Sequence, residues 1–425
     1  AQAILAPCQG SNPQLALSFA NEKTGRAMTC RIAEFQVPEH ASHPGGQLVL
    51  ETARMSKCPG LLFLSYHLGC DLNGRIASSA KALGVTLPEQ GKMYAEMHAA
   101  FRKVRETYPE QHMYFVVYCM TLTVLLPFAW LWWLAEPSII RGMIAGTLFE
   151  FYFLNVFHTR HHLGGHVFKN KFLRRLTEPM YDFIESTWGY KPAAWRWNHH
   201  VQHHMYTNDT GTDNVLPDIY PLVRSCYDTP RLWFHKFQTF YFPLFMPLTG
   251  FMFPIKNILE HNGSAVHFCA WILLSFILPV CLHGWSCLIQ SLFLMGWLGV
   301  GISYKFAVSH THNALGMSTT NEELYGDIDD WLKVQIEESI SYGGYFFTFL
   351  FGGINMQIEH HLCPTLAPPL YALVAPEIAR ISSKYGVKYT AETSFWCAVW
   401  EFHRQLWILG SLKHDKLSQA LVRSS

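Results

Sequence analysis

A chain of 425 residues has room for one large domain or for two or three ordinary ones. Half of it is hydrophobic and only 15% is charged, a low share for a protein that meets water on every side. The net charge of +1 argues against a nucleic-acid binder, and 11 cysteines without a CxxC argue against a disulfide framework and fit a reducing compartment.

Residues 1–110 are mixed in character, and no signal-peptide pattern follows Ala1, since the apolar run in "AQAILAPCQGSNP" is too short. Within them, "EHASHPGG" sets His43 before Pro-Gly-Gly, and His67 follows in "LLFLSYHLG". Two loop histidines, with glycine allowing close backbone approach, can clamp a flat haem from both sides. A haem with both axial positions filled by protein carries electrons.

Residues 113–134 run without a charge, long enough to cross a bilayer core of about 30 Å. After a short loop, 139–157 is apolar again except for Arg141 and Glu150, so the two form a transmembrane hairpin. Residues 158–235 are polar and rich in His, Trp and Asn. A second hairpin, 266–282 and 288–307, turns around "HGWSC". Phe237–Ile255 is apolar enough to be a span but carries Pro243, Pro247 and Pro254. If it crossed, His310, His360 and His361 would face away from His158 to His204, so it is expected to lie in the membrane interface. Lys169, Lys171, Arg174, Arg175, Lys191 and Arg196 mark the histidine face, and with it the N-terminal region, as cytosolic.

Of 23 histidines, 12 fall into clusters: "HTRHHLGGH", "NHHVQHH", "SHTH" and "QIEHH". On an α-helix positions i, i+3 and i+4 share a face, so His200, His203 and His204 can converge on one cation, with His199 spare. Gln357, His360 and His361 repeat that spacing. The first cluster offers His158, His161, His162 and His166. Imidazole suits iron, zinc and copper, and so many nitrogens exceed one tetrahedral site, which points to two metals. Glu185, Asp209, Asp213, Asp218, Glu359 and the acids of "DIDDW" (Asp327, Asp329, Asp330) are available to orient the imidazoles, although "DIDDW" reads more simply as a solvated loop.

HPGG with a histidine at this spacing resembles cytochrome b5 over roughly residues 15–90. Three histidine boxes between two hairpins resemble the membrane fatty acid desaturases over roughly 110–410. Gln357 in "QIEHH", together with the cytochrome b5-like stretch, is similar to the front-end desaturases. "WRWNHHVQHHMYTNDTGTDNVLPD" resembles that family's second box, and "VAPEIARISSKYGVKYT" its ending. The first box departs from the family's HDxxH or HDxxxH, because no Asp follows a candidate ligand. By distance to the following "VF", His162 and His166 match best, with His158 one turn earlier also a candidate. The family often uses a histidine at the end of the fourth span as an extra ligand, here His310, with His312 or Asn313 beside it.

The resemblance implies an α-helical membrane protein of four spans under a cytosolic, histidine-rich helical cap (101–425), plus a small α+β cytochrome b5-like domain (1–100). It implies a di-iron centre held by His158, His162, His166, His200, His203, His204, His310, Gln357, His360 and His361, and haem b on His43 and His67. With O2 as co-substrate, such an enzyme removes two hydrogens from an unactivated acyl chain, between an existing double bond and the carboxyl end. The electrons come from NAD(P)H through cytochrome b5 reductase and the haem. The implied partners are the lipid bilayer of the endoplasmic reticulum and a fatty acyl-CoA or acyl-phospholipid. Readings with nearly the same boxes are a sphingolipid long-chain-base desaturase and a fatty acyl hydroxylase. A non-catalytic haem- or metal-binding membrane protein is the reading from another class.

Overall fold

The structure is a computed structural model, and it describes residues 59–69, 91–162, 171–186, 195–209, 213, 220–225, 229–259, 265–312 and 328–411. His43, His166, Asn313, Asp218, Asp327 and most of the expected haem domain therefore lie outside the described residues.

Helix α1 (Pro59–Tyr66) and helix α2 (Lys92–Thr107) come first. Along α2, Met93, Tyr94, Met97, Phe101 and Val104 are buried, the one-sided spacing of a helix lying on a core. The carboxylate of Asp329 accepts the main-chain N–H groups of Met93 (3.2 Å) and Tyr94 (2.8 Å), supplying the partners that a helix start leaves open. This part of "DIDDW" is thus a helix cap and not a solvated loop.

Helix α3 (Glu110–Ala135) and helix α4 (Ile139–His162) form the first hairpin. The Ser138 hydroxyl caps α4 by accepting from Arg141 N. Helix α5 (Lys171–Ser186) follows, then helices α6 (Gln238–Phe245) and α7 (Thr249–Leu259), joined by a 3-10 turn, Met246–Leu248. Helix α8 (Ala265–His283) and helix α9 (Cys287–His310) form the second hairpin. These four helices, α3, α4, α8 and α9, are long and apolar enough to cross a membrane. At the hairpin tips the His283 ring nitrogen donates to Leu134 O (2.6 Å). Helix α4 packs between α3 and α9, while only 11% of α8 is buried, which puts α8 at the edge of the bundle.

Two expectations change. The helices α4 and α9 run on past 157 and 307, to His162 and His310. Hydropathy ends where lipid ends, but the helical hydrogen-bond ladder does not, so both spans carry histidines up onto the rim of the cap. The segment around 237–255 does not lie flat in the interface. Its middle packs along α9 at Gly296 and Gly299, and Thr249 Oγ1 donates to Gly299 O (3.0 Å). That level is about 16 Å down α9 from His310. A Cβ at Gly250 would collide with Met295 O, so glycine is what allows the two backbones to meet. Pro243, Pro247 and Pro254 fit a segment that breaks and turns back beside a span, where protein covers its open backbone.

The cap is built from helix α10 (Ile328–Glu337), strand β1 (Ser341–Tyr342), helix α11 (Tyr345–Leu350), helix α12 (Gln357–Leu362), helix α13 (Pro369–Lys384), strand β2 (Ala391–Glu392, parallel to β1) and helix α14 (Phe395–Ser411). One apolar cluster joins Leu64, Met93, Phe101, Trp331, Ile358 and Ile378, so α1 belongs to the core of the cap. Thr365 Oγ1 donates to Tyr66 O (3.0 Å) and Cys363 Sγ to Leu68 O (3.2 Å), fastening the end of α1 to the loop after α12.

Candidate metal centre

Four segments bring histidines together beneath the cap. His158 and His162 stand one turn apart at the end of α4, His310 ends α9, and His360 and His361 lie on α12. His199, His203 and His204 come from a π-helical turn, Trp197–His203. All are buried.

Their ring nitrogens fall into two groups. The first holds His158, His162, His199 and His360, and the second holds His203, His310 and His361. In the first, the Nε2 atoms of His158, His162 and His199 form a triangle with sides of 3.0, 3.1 and 3.2 Å. His204 Nε2 lies 3.2 Å from His199 Nε2, and its ring stacks on His361 (4.3 Å), so it stands between the groups. Gln357 reaches into the second group, its side-chain nitrogen 2.8 Å from His310 Nε2 and 3.1 Å from His361 Nε2.

These residues fit metal ions. Three Nε2 atoms cannot all satisfy one another, because a neutral ring offers one N–H in one direction. Bonds of about 2.1 Å to a shared cation place neighbouring nitrogens about 3.0–3.4 Å apart, which is the spacing of the triangle. The Nε2 atoms of His200, His203 and His360 are buried without a hydrogen-bond partner. Burial holds the imidazoles of His199, His204, His360 and His361 well below their usual pKa, so they are neutral and can donate lone pairs.

The opposite ring edges are held by protein. His203 Nδ1 donates to Asp213 Oδ2 (2.9 Å), a carboxylate that also accepts Asn208 N–H (2.9 Å). His361 Nδ1 meets the Gln335 side-chain amide (2.8 Å) and Thr207 Oγ1 (2.9 Å). His360 Nδ1 meets Tyr371 OH (3.3 Å), and His162 Nδ1 meets Tyr66 OH (3.4 Å). Each contact turns Nε2 toward the group it belongs to, which fixes ring orientation before a metal arrives.

The second box differs from the expected register. On an α-helix His200 would share a face with His203 and His204, but here the main-chain N–H of His204 donates to His199 O, five residues back (2.9 Å). The wider turn brings the His199 ring to 5.2 Å from His203 and, edge-on, to 4.7 Å from His204. His200 lies outside both groups, its ring against His162 (4.4 Å) and Tyr66 (5.5 Å). His161 turns away to Glu185 Oε2 (3.1 Å), and His312 pairs with Glu392 (3.2 Å). Glu359 faces Tyr389 OH and Ser341 Oγ (both 2.7 Å), and burial pushes its carboxyl up to about 7. His67 is half-buried at the end of α1. Tyr66, Gln335 and Tyr371 carry no motif that could have marked them, and Thr207 lies within the second-box stretch without a ligand-type side chain.

Four apolar helices long enough to span a membrane, beneath two buried groups of histidines that could hold metal ions, define a membrane protein with a candidate metal centre. The fatty acid desaturase family profile matches residues 131–393, and the chain belongs to that family. It is similar to a probable Delta(5) fatty acid desaturase C of Dictyostelium discoideum, 24% identical over 84% of this chain and 85% of the relative. An sn-1 linoleoyl-lipid 6-desaturase of Synechocystis sp. is 25% identical over 69% of this chain and 88% of that one. A chloroplastic acyl-lipid (7-3)-desaturase of Chlamydomonas reinhardtii is 27% identical, and there the match spans 48% of this chain and less than half, 44%, of the relative. No solved structure matches the chain significantly.

Proposed function

We propose that the chain is a front-end acyl desaturase, which sets a cis double bond between an existing one and the carboxyl end of a polyunsaturated acyl chain. The observation that carries this reading is the pair of buried imidazole groups on the rim of a four-span bundle. Support for the acyl substrate comes from relatives named for Delta(5) and acyl-lipid desaturation.

Two iron ions would be held by His158, His162, His199 and His360 on one side and by His203, His310 and His361 on the other, with His204 between the two sets and Gln357 beside the second. Bound there, they would supply the O2 chemistry that breaks unactivated C–H bonds. The chain's own residues keep His199, His204, His360 and His361 neutral by burial, orient the imidazoles through Asp213, Gln335, Tyr371 and Tyr66, and exclude water. An apolar cavity of about 130 Å³ among the spans, lined by Leu126, Trp130, Trp133, Phe149, Ile184 and Met295, would hold a stretch of acyl chain. Phe149 lies about 14 Å before His158 along α4, so the cavity runs beneath the centre.

The haem assignment rests on the HPGG motif and the histidine spacing. Replacing His43 or His67 with Ala should abolish a reduced-minus-oxidised b-type spectrum and lower desaturation, and a normal six-coordinate spectrum in either variant refutes that ligand. Residence in the endoplasmic reticulum, with the centre facing the cytosol, agrees with the basic residues on the histidine face.

The deciding experiment is expression in a host fed a panel of polyunsaturated acids, with gas chromatography of the products. A new double bond on the carboxyl side of an existing one is expected. Hydroxylated products, or activity only on sphingoid bases, would replace this reading.

A further inference from the structure

We propose that helix α14 is a membrane-seated helix whose tryptophan face lies among the lipid headgroups on the side of the metal centre. Trp396, Trp400 and Trp407 fall within about 40° of arc around the helix. They are 75%, 70% and 50% exposed. The opposite face, with Ala398, Phe402, Leu406 and Leu409, is buried. Three indoles on one face exceed what a water-facing surface ordinarily shows.

The occupant follows from where the helix is fastened. His403 Nε2 meets Tyr304 OH (3.2 Å), on the fourth candidate span. Tyr304 lies about 5 Å before Ala307, where the apolar run of that span ends, at the shallow limit of the depth of about 5–10 Å at which interfacial helices settle. Leu406 O accepts from Gln238 Nε2 (2.7 Å), at the start of α6. The Trp407 ring stands 6.1 Å from that of Phe240, and the exposed apolar face continues through Phe240 (69%) and Leu244 (75%) toward the segment that dips beside α9. The surface is therefore continuous with the sides of the spans that meet lipid. Arg404 and Glu401 pair (3.2 Å) along the polar edge of the tryptophan arc. Indole rings, apolar in body with one N–H, favour this boundary. The proposal depends on the four spans crossing a bilayer and is independent of the reaction catalysed.

The test uses the full chain in nanodiscs of phosphatidylcholine, with the photo-crosslinking residue p-benzoylphenylalanine at position 400, 407 or, as a control on α13, 380. Phospholipid adducts are expected at 400 and 407 and none at 380. A crosslinked dimer in place of lipid, no adduct at 400 and 407, or equal adducts at all three overturns the proposal. Because a substituted chain could misfold, hydroxyl-radical labelling of the unsubstituted protein in the same nanodiscs supplies a second measurement. Trp396, Trp400 and Trp407 should be modified markedly more slowly than in the unfolded chain. Rates close to those of the unfolded chain would mean that the face meets water and would also overturn it.

Discussion

The main-chain N–H of His204 donates to the carbonyl of His199, five residues back, at 2.9 Å. That single π-type bond decides which imidazoles of "NHHVQHH" meet the others. It sets His199 in a triangle with His158 and His162 and leaves His200 to one side.

The first prediction follows from this register. His199→Ala should lose metal and nearly all product, whereas His200→Ala should keep its metal content, since His200 belongs to neither nitrogen group. Metal per protein by mass spectrometry, measured with product formation, checks both. Metal loss confined to the His200 variant would show that the α-helical register holds.

Asp213 fixes the His203 tautomer by accepting from Nδ1 and is itself held by Asn208 N–H. Asp213→Asn should keep the fold and lower metal affinity or activity about 10- to 100-fold, the usual effect of losing a carboxylate behind a ligand. Metal titration of the stripped protein reads this directly. Wild-type affinity would mean that His203 is not a ligand.

Gln357 lies within reach of both His310 and His361. Gln357→Ala should remain folded and membrane-inserted but lose most activity. Gln357→His should hold metal, imidazole being a better ligand than an amide, without reliably restoring turnover. His360→Ala and His361→Ala should lose metal outright. Full metal and full activity in Gln357→Ala would reduce the glutamine to packing.

Lys305 donates to Glu150 between α9 and α4, buried inside the candidate spans. A Cβ on Gly301 would collide with the Glu150 carboxylate, so the pair occupies space the glycine leaves. Glu150→Gln or Lys305→Met alone should destabilise by about 3–5 kcal/mol, because the remaining charge is buried and unpaired. The double variant should recover much of that loss. Thermal unfolding in detergent measures it, and additive losses in the double variant would show that the two charges act separately.

Sequence alone determined the architecture of the membrane part. Apolar runs of span length are set by the bilayer's thickness, which acts on hydropathy locally and needs no tertiary context. That the clusters meet enters the sequence reading as the reason for an even number of crossings, and the two nitrogen groups bring them together. Tertiary structure decided what depends on backbone geometry beyond the regular helix. The π-turn exchanges His199 for His200, although both residues have the same chemistry and adjacent positions. The dip of 238–259 rests on backbone contact at Gly250 and Gly299, which an apolar sequence with three prolines does not distinguish from a helix lying flat. Tyr66, Gln335 and Tyr371 reach the imidazoles from sites distant in sequence, so no local spacing could reveal them. Ligand types are written in the chain as residue identities, but which nitrogen faces which centre is a property of packed side chains.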